Sequence, residues 1–191
     1  SVKVSYKDDN KYTFKMPASA VTVAASFSAE PVAPASPFLD VAPGTWYYDA
    51  VQYAYERGLM SGTGEGQFSP DLTTSRGMIV TILYRLAGSP AVSGSSSFSD
   101  VSQGDWYAQG VAWASAHGVV SGYPDGTFRP NDTITREQMA AILCQYARFQ
   151  GKLDSGRADL SIFADAGSVS PWAQDALSWA VAKGLIGGIS A

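Results

Sequence analysis

The sequence contains three copies of one pattern. Each copy begins with Phe-Xaa-Asp, at Phe38, Phe98 and Phe163, so the copies start 60 and 65 residues apart. A tryptophan and then a glycine follow at nearly constant distances in all three copies: Trp46, Trp106 and Trp172, then Gly58, Gly118 and Gly184. Self-similarity at a fixed period indicates stacked repeat units, none of which buries its apolar face alone. The sequence therefore predicts two full repeats and the first half of a third.

Each full repeat is predicted to be two helices joined by a loop rich in turn residues. In the second repeat, Thr135-Arg136-Glu137-Gln138 is a capping box, with Thr135 as the N-cap and Gln138 at the third helical position. Apolar residues then recur at helical spacing: Met139, Ile142, Leu143 and Tyr146. Ser75-Arg76-Gly77-Met78 stands at the same place in the first repeat. The loop before the capping box carries Pro124-Asp125-Gly126, a turn in which proline presets φ and glycine accepts a positive φ.

The first helix of each repeat is predicted to end at its glycine, where a left-handed residue closes a helix. The residues before these glycines can all be cationic, as suits a helix C-terminus: Arg57, His117 and Lys183. His117, the only histidine, is therefore interpreted as a helix-end residue and not as a catalytic base. In the third copy we expect Ser170 to be the N-cap and Pro171 the first helical residue. An apolar stripe is predicted to follow: Trp172, Ala176, Leu177, Ala180 and Val181.

The composition excludes several functions. The chain has 13 basic and 17 acidic residues and a formal charge of −4, which argues against a nucleic-acid-binding surface. The single cysteine, Cys144, excludes an internal disulfide and a thiolate-rich zinc site. No apolar run approaches the roughly 20 residues of a membrane helix. The sequence has no Ser/His/Asp order, metal motif or Gly-rich phosphate loop, so we predict that it is not an enzyme and needs no cofactor.

Linkers and patterning divide the chain into five predicted segments. These are the end of a β-repeat at 1–28, a Pro/Ala linker at 29–37, repeat one at 38–97, repeat two at 98–162, and the half repeat at 163–191. Strand-type patterning precedes the linker at 12–17 and 21–27, after a turn expected at 8–10. Because Ser1 stands within what looks like a strand, we expect the chain to be a piece of a larger protein.

In this order, the motifs resemble the S-layer homology family. The resemblance to that module is fullest in repeat two. There the order of motifs is Phe-Xaa-Asp-Val, Trp-Tyr, a helix ending in glycine, Ser-Gly-Tyr-Pro-Asp-Gly-Thr-Phe-Xaa-Pro and Ile-Thr-Arg-Glu. Thr135-Arg136-Glu137 corresponds to the family's Thr-Arg-Ala-Glu motif without the alanine, whereas Ser75-Arg76-Gly77 keeps the arginine and loses the acid. This resemblance covers residues 38–191. The N-terminal piece, through residues 12–19, is similar to the end of a Listeria–Bacteroides-type surface β-repeat.

The resemblance implies a mainly α fold, a pseudo-threefold bundle of repeats with grooves between neighbours, here after a short N-terminal β segment. It implies non-covalent anchoring of an exported protein to the bacterial cell wall or S-layer. The implied partner is an anionic secondary cell-wall polysaccharide linked to peptidoglycan, often one ending in a pyruvylated sugar. We expect a monomer that neither inserts into a membrane nor binds nucleic acid. The alternative is a protein–protein module for S-layer assembly that uses the same grooves.

The motif arginines, Arg136 and Arg76, are expected to line the grooves and to meet the acidic sugar. An arginine next to an N-cap lies beside the positive end of a helix, and its planar fork can hold a carboxylate through two hydrogen bonds. The intact Thr-Arg-Glu context favours Arg136 over Arg76. The full set of candidate ligand-binding residues is Arg136, Glu137, Arg76, Tyr123, Asp125, Gly126, Trp46 and Trp106.

Structural roles compete with ligand binding for some of the repeated residues. Trp46, Trp106 and Trp172 are candidates for stacking on a sugar ring, but packing at the start of each first helix is the competing interpretation. The repeated aspartates are expected to accept hydrogen bonds from loop N–H groups: Asp40, Asp100 and Asp165.

Overall fold

The computed structural model describes residues 4–7, 11–14 and 36–188, and the chain divides into two compact units, 1–35 and 36–191. In the first unit, strands β1 (Val4–Lys7) and β2 (Lys11–Phe14) pair antiparallel. The turn expected at 8–10, the strand patterning at 21–27 and most of the Pro/Ala linker lie outside the described residues. The assignment of residues 1–28 to a β-repeat stays a prediction.

The described part of the second unit is mainly helical, as predicted. It contains α1 (Tyr48–Glu56), α2 (Arg76–Leu86), α3 (Ala108–Ala116), α4 (Arg136–Phe149) and α5 (Gln174–Ala182). Two short 3-10 turns, Leu160–Ile162 and Ala166–Ser168, precede α5. Repeats one and two thus supply two helices each, and the described part of the third copy supplies one.

The second helices begin at capping boxes. The Gln138 N–H donates to the Thr135 hydroxyl oxygen at 3.2 Å, and the Thr135 N–H donates to the Gln138 amide oxygen at 3.4 Å. In repeat one, the Met78 N–H donates to the Ser75 hydroxyl at 3.3 Å, and the Met78 sulfur replaces the amide oxygen as acceptor. The predicted cap at Thr135 is confirmed, and repeat one has a weaker version because a thioether accepts hydrogen bonds poorly.

The first helices end at the predicted glycines. The φ angles of Gly58, Gly118 and Gly184 are +64°, +66° and +66°, a region that favours residues without a Cβ. Each glycine N–H and the N–H that follows it donate back to carbonyls of the last helical turn, which is the Schellman arrangement. The Nδ1 of His117 lies 2.8 Å from the Trp113 carbonyl oxygen of α3. This bond confirms the helix-end interpretation of His117.

The predicted start of the first helix in the third copy is wrong. Helix α5 begins at Gln174, three residues later than expected, and its N-cap Ala173 makes no side-chain cap. Ser170 and Pro171 instead belong to a turn, closed by the Ala173 N–H donating to the Ser170 carbonyl at 2.9 Å. A carboxylate oxygen of Glu137 in α4 accepts the Ser170 N–H at 2.6 Å, so a neighbouring repeat fixes this turn.

The three repeated tryptophans do not enter the core. Trp46, Trp106 and Trp172 expose 93%, 60% and 60% of their surface, and each precedes its helix by two residues. The buried tryptophans are Trp113 in α3 and Trp179 in α5. The interpretation that the repeated tryptophans pack in the core is therefore wrong. It is wrong for Trp172 as well, which was predicted to belong to the apolar stripe of its helix.

Helices of consecutive repeats pack in pairs, α2 with α3 and α4 with α5. The larger core includes Val80, Val111, Trp113, Phe128 and Ile142. A second core between α4 and α5 consists of Ala140, Cys144, Ala176, Trp179 and Ala180. Burial raises the pKa of the Cys144 thiol, in keeping with a structural role. The half repeat thus packs on the preceding repeat through α5, and the pseudo-threefold arrangement stays a prediction.

The repeated aspartates hold the loops of the two full repeats. The Asp100 carboxylate accepts the N–H groups of Phe128-Arg129 at 2.8 and 2.7 Å, and Asp40 accepts those of Phe68-Ser69 at the same distances. These backbone bonds lower the pKa of Asp40. The predicted structural role is confirmed for Asp40 and Asp100. In the third copy, Asp165 accepts no such pair among the described residues.

Candidate functional site

A cleft of about 450 Å³ lies where three repeats meet, and we call it the Arg76 groove. Repeat one contributes Arg76, repeat two contributes residues 118–123 and one face of α4, and repeat three contributes Trp172. Gln138 and Gln145 of α4 add two side-chain amides. The lining thus combines a cation, hydrogen-bonding amides and aromatic rings, which are the groups that can hydrogen-bond and stack on a sugar.

Arg76, the first residue of α2, is only 6% exposed although it lines this groove. Its Nε donates to the Phe128 carbonyl at 2.9 Å. Its guanidinium carbon lies 4.7 Å from the centre of the Phe128 ring and 5.0 Å from the centre of the Tyr123 ring. Repeat two therefore holds the guanidinium of repeat one by a hydrogen bond and two cation–π contacts.

No carboxylate of residues 36–188 forms a salt bridge with Arg76. Burial lowers the pKa of its guanidinium, yet arginine stays charged in proteins. A buried charge without an ion-pair partner is costly, and a bound anion would offset that cost. The Arg76 groove thus presents a fixed positive group to any ligand that enters it.

Tyr123 links the groove to the neighbouring loop. Gln138 Nε2 donates to the Tyr123 hydroxyl at 3.0 Å. The guanidinium of Arg129 lies 4.2 Å from the centre of the Tyr123 ring, so the ring has cation–π contacts with two arginines. These contacts orient a half-buried ring at the edge of the groove.

Asp125 and Gly126 belong to the turn that supports this ring. Asp125 accepts hydrogen bonds from the hydroxyl and the N–H of Thr127 at 2.6 and 3.0 Å, and pairs with Arg129 at 2.8 Å. The Thr127 hydroxyl and then Arg129 lower the pKa of Asp125 to about 2. Gly126 has a φ of +78° in the same turn. The Asp125 carboxylate is therefore hydrogen-bonded and ion-paired within its own loop.

Arg136 and Glu137 lie on a different cleft, of about 510 Å³, which we call the Arg136 cleft. The Arg136 guanidinium donates to the Gly187 carbonyl and is otherwise exposed. Most of the lining is apolar and belongs to the third copy, including Phe163, Leu177, Val181 and Ile186. Glu137 uses one carboxylate oxygen to hold Ser170. The two motif arginines thus occupy unlike surroundings.

The structure brings together only some of the residues that the sequence singles out. Arg76 and Tyr123 share one groove, which they do not share with Arg136. Trp46 and Trp106 are exposed, and each contacts the next residue's ring edge-to-face at 5.4 and 5.1 Å.

Sequence reasoning missed Gln138 and Gln145 as groove residues. They are seven residues apart, a spacing that places both side chains on one face of a helix and could have indicated a shared surface. That signal gives no indication of which neighbouring repeat this face meets.

Two negative findings concern the part of the chain that the structure describes. Within 4–7, 11–14 and 36–188, no helix has the length and apolar character needed to cross a membrane. The same residues bring together no group of three or more His, Cys, Asp or Glu side chains suited to a metal ion.

Comparison with known proteins gives matches over most of the second unit. The S-layer homology domain profile matches residues 37–77, 97–140 and 162–191. The surface-layer 125 kDa protein of Lysinibacillus sphaericus is 34% identical over 175 residues, which is 91% of this chain and 14% of that protein. An amylopullulanase of Thermoanaerobacterium thermosulfurigenes is 31% identical over 144 residues, 75% of this chain and 8% of the enzyme. The S-layer protein sap of Bacillus anthracis is 31% identical over 118 residues, 61% and 14% of the respective lengths. This chain therefore spans a small part of each relative.

Proposed function

Because this chain belongs to the S-layer homology domain family, we propose that it attaches the protein that carries it to the bacterial cell wall, outside the cell and without a covalent bond. Similar segments form a small part of a surface-layer protein and of an amylopullulanase. A module shared by proteins of such different kinds suits attachment rather than catalysis. Any catalytic activity would then reside in another part of the protein.

The proposed ligand is an anionic secondary cell-wall polysaccharide that is linked to peptidoglycan and ends in a pyruvylated sugar. The observation that carries this proposal is the buried Arg76 guanidinium, which has no ion-pair partner among residues 36–188. The Phe128 carbonyl accepts from its Nε, and the two η nitrogens have no hydrogen-bond partner in the described part of the chain. Two parallel N–H donors match the two oxygens of a carboxylate.

The remainder of the groove suits a sugar ring. The Trp172 ring is largely exposed at the groove and offers an apolar face for stacking. Gln138 and Gln145 are half-buried; their amide oxygens accept from Thr135 and Arg148, and Gln138 donates one N–H to Tyr123, which leaves amide N–H groups of both to donate to sugar hydroxyls. Residues 31–191 have nine basic and 14 acidic residues, a formal charge of −5, so long-range attraction does not favour an anionic polymer. Recognition must therefore depend on local contacts such as those of Arg76.

We further propose that Arg136 and Glu137 contribute a second, related site, and that Trp46 and Trp106 stack on sugars of a longer glycan. These assignments rest on the repeat. Arg136 follows the N-cap of α4 as Arg76 follows the N-cap of α2, and both tryptophans match Trp172 in repeat position and are likewise exposed. A monomer with pseudo-threefold repeats is the arrangement we propose for these sites.

A cosedimentation assay tests the attachment. The chain is mixed with purified walls that retain their polysaccharide and with walls from which the polysaccharide has been extracted. We expect the chain to sediment with the first and to stay in the supernatant with the second. Equal sedimentation with both, or self-association without any wall, would instead support a protein–protein module for S-layer assembly.

A further inference from the structure

Arg129 contacts the aromatic ring at the edge of the Arg76 groove but does not line the groove itself. Its guanidinium carbon lies 4.2 Å from the centre of the Tyr123 ring, nearer than the guanidinium carbon of Arg76 at 5.0 Å. Both distances are within the range of a cation–π interaction. An effect of Arg129 on a ligand in the groove therefore has to pass through Tyr123.

The Arg129 residue is held at both ends. Its backbone N–H donates to a carboxylate oxygen of Asp100 at 2.7 Å. Its Nη2 pairs with Asp125 at 2.8 Å, and its Nε donates to the Thr127 hydroxyl oxygen at 3.3 Å. Because backbone and guanidinium are both fixed, Arg129 presents its charge to the ring in one defined position.

The loop of repeat one provides an internal comparison. Residues 62–70 match residues 122–130 in the repeat. The positions of Tyr123, Asp125 and Arg129 carry different residues in repeat one: Thr63, Glu65 and Ser69. In place of a ring under a cation, the hydroxyl oxygens of the first and last of these lie 2.7 Å apart.

The two loops have the same backbone bonds despite this difference. Asp40 and Asp100 each accept two successive loop N–H groups, at 2.8 and 2.7 Å in both repeats. The φ angles of Ser69 and Arg129 are +59° and +57°, both left-handed. Early in each loop, an N–H donates to the carbonyl four residues later, at 2.9 and 2.7 Å. A loop that forms with serine at this position does not need an arginine for its fold, so the Arg129 side chain serves another purpose.

The orientation of the Tyr123 ring matters for the groove. The Tyr123 hydroxyl accepts from Gln138 at 3.0 Å, and its own proton has no acceptor among residues 36–188. This O–H can therefore donate to a ligand. A ring that turned away would remove that donor and one of the two ring contacts of Arg76.

We propose that Arg129 is a positioning residue for ligand binding in the Arg76 groove. It holds the Tyr123 ring against Arg76, so that the phenol O–H and the Arg76 guanidinium both donate to the acidic group of the ligand. Asp125 acts by holding Arg129 and does not contact the ligand. This inference rests on the proposed glycan attachment and extends it to two residues outside the groove lining.

Calorimetric titration with the anionic polysaccharide extracted from the walls tests the role of Arg129. Arg129→Ser, which introduces the residue of repeat one, is expected to weaken binding about three- to tenfold. Arg129→Lys keeps a cation for the ring and for Asp125, and is expected to bind within about twofold of the parent chain. Arg57→Ser is the matched control, because it removes the same charge and a cation–π contact with Tyr53 outside both clefts. Equal affinities of the Arg129→Ser and Arg57→Ser proteins would overturn the inference.

Asp125→Ala separates positioning from net charge. Removal of an acidic residue increases the general attraction for an anionic polymer, so a purely electrostatic role of Arg129 predicts equal or tighter binding. Positioning predicts binding about threefold weaker, because Arg129 loses its ion-pair partner. Equal or tighter binding by the Asp125→Ala protein would overturn the inference.

Nuclear magnetic resonance of the full chain without ligand provides a readout that does not depend on the glycan. Nuclear Overhauser contacts between the Tyr123 ring and Arg76 are expected in the parent and in Arg57→Ser, and are expected to weaken in Arg129→Ser. Unchanged contacts in Arg129→Ser would overturn the inference, whether or not the polysaccharide binds. Weakened contacts together with no polysaccharide binding by the parent would support the positioning of Tyr123 and contradict the proposed function instead.

Discussion

Replacing Arg76 by lysine is expected to weaken binding of the anionic wall polysaccharide about 10- to 100-fold, the range that charge-assisted hydrogen bonds support. Lysine keeps the charge but has neither the planar fork nor the Nε that donates to the Phe128 carbonyl. Isothermal titration calorimetry measures the change directly. Arg57→Lys is the matched control, because Arg57 stacks on Tyr53 at the end of α1 and lines neither cleft.

Two further variants show whether this effect belongs to the groove. Arg136→Lys is expected to reduce affinity less than Arg76→Lys, since Arg136 is exposed and in a mostly apolar cleft. Arg76→Ala is expected to abolish binding and also to lower stability, because the Phe128 carbonyl loses its donor. An Arg76→Lys protein that folds normally and binds as tightly as the Arg57→Lys control would remove Arg76 from the site.

Deleting the half repeat after Ser161 is expected to lower the free energy of unfolding by about 2–4 kcal/mol, because α5 covers an apolar face of α4. Ala140 is fully buried and Cys144 nearly so, both in the core shared with Trp179. Urea denaturation followed by far-ultraviolet circular dichroism measures the loss.

The thiol provides a second readout of the same deletion. Burial raises the pKa of Cys144, and without α5 the thiol is expected to react many times faster with a thiol-specific reagent. A truncated protein that is as stable and as unreactive as the full chain would show that α5 does not complete the core. An obligate dimer of the full chain would contradict the intramolecular account as well.

Local signals in the sequence predict the helices well. The capping box at Thr135 and Gln138 depends on two residues three positions apart, and the glycine helix ends depend on a single φ angle. The role of Asp100 could also be predicted, because its repetition beside a turn-rich loop indicates a bond to loop N–H groups. These features need no knowledge of which repeats are neighbours.

The features that sequence reasoning missed depend on contacts between repeats. Ser170 is not a helix cap: it lies in the turn before α5, and Glu137, 33 residues away, accepts its N–H. The motif could not show that Arg76 contacts the loop of the following repeat, through the Phe128 carbonyl and ring. Gln138 and Gln145 line the groove together with Trp172 of the third copy, which belongs to another repeat. Spacing within one repeat carries no information about these partners.

We propose that a local cation recognises an acidic group on the wall glycan. This recognition is tested by calorimetric titration of the full chain with the native polysaccharide and with the same polymer after removal of its acidic substituent. Since residues 31–191 carry a formal charge of −5, general attraction to a polyanion cannot substitute for the specific contact. We expect saturable binding of the native polymer and no measurable binding of the neutral one. Equal affinity for the two polymers would show that the acidic group is not recognised.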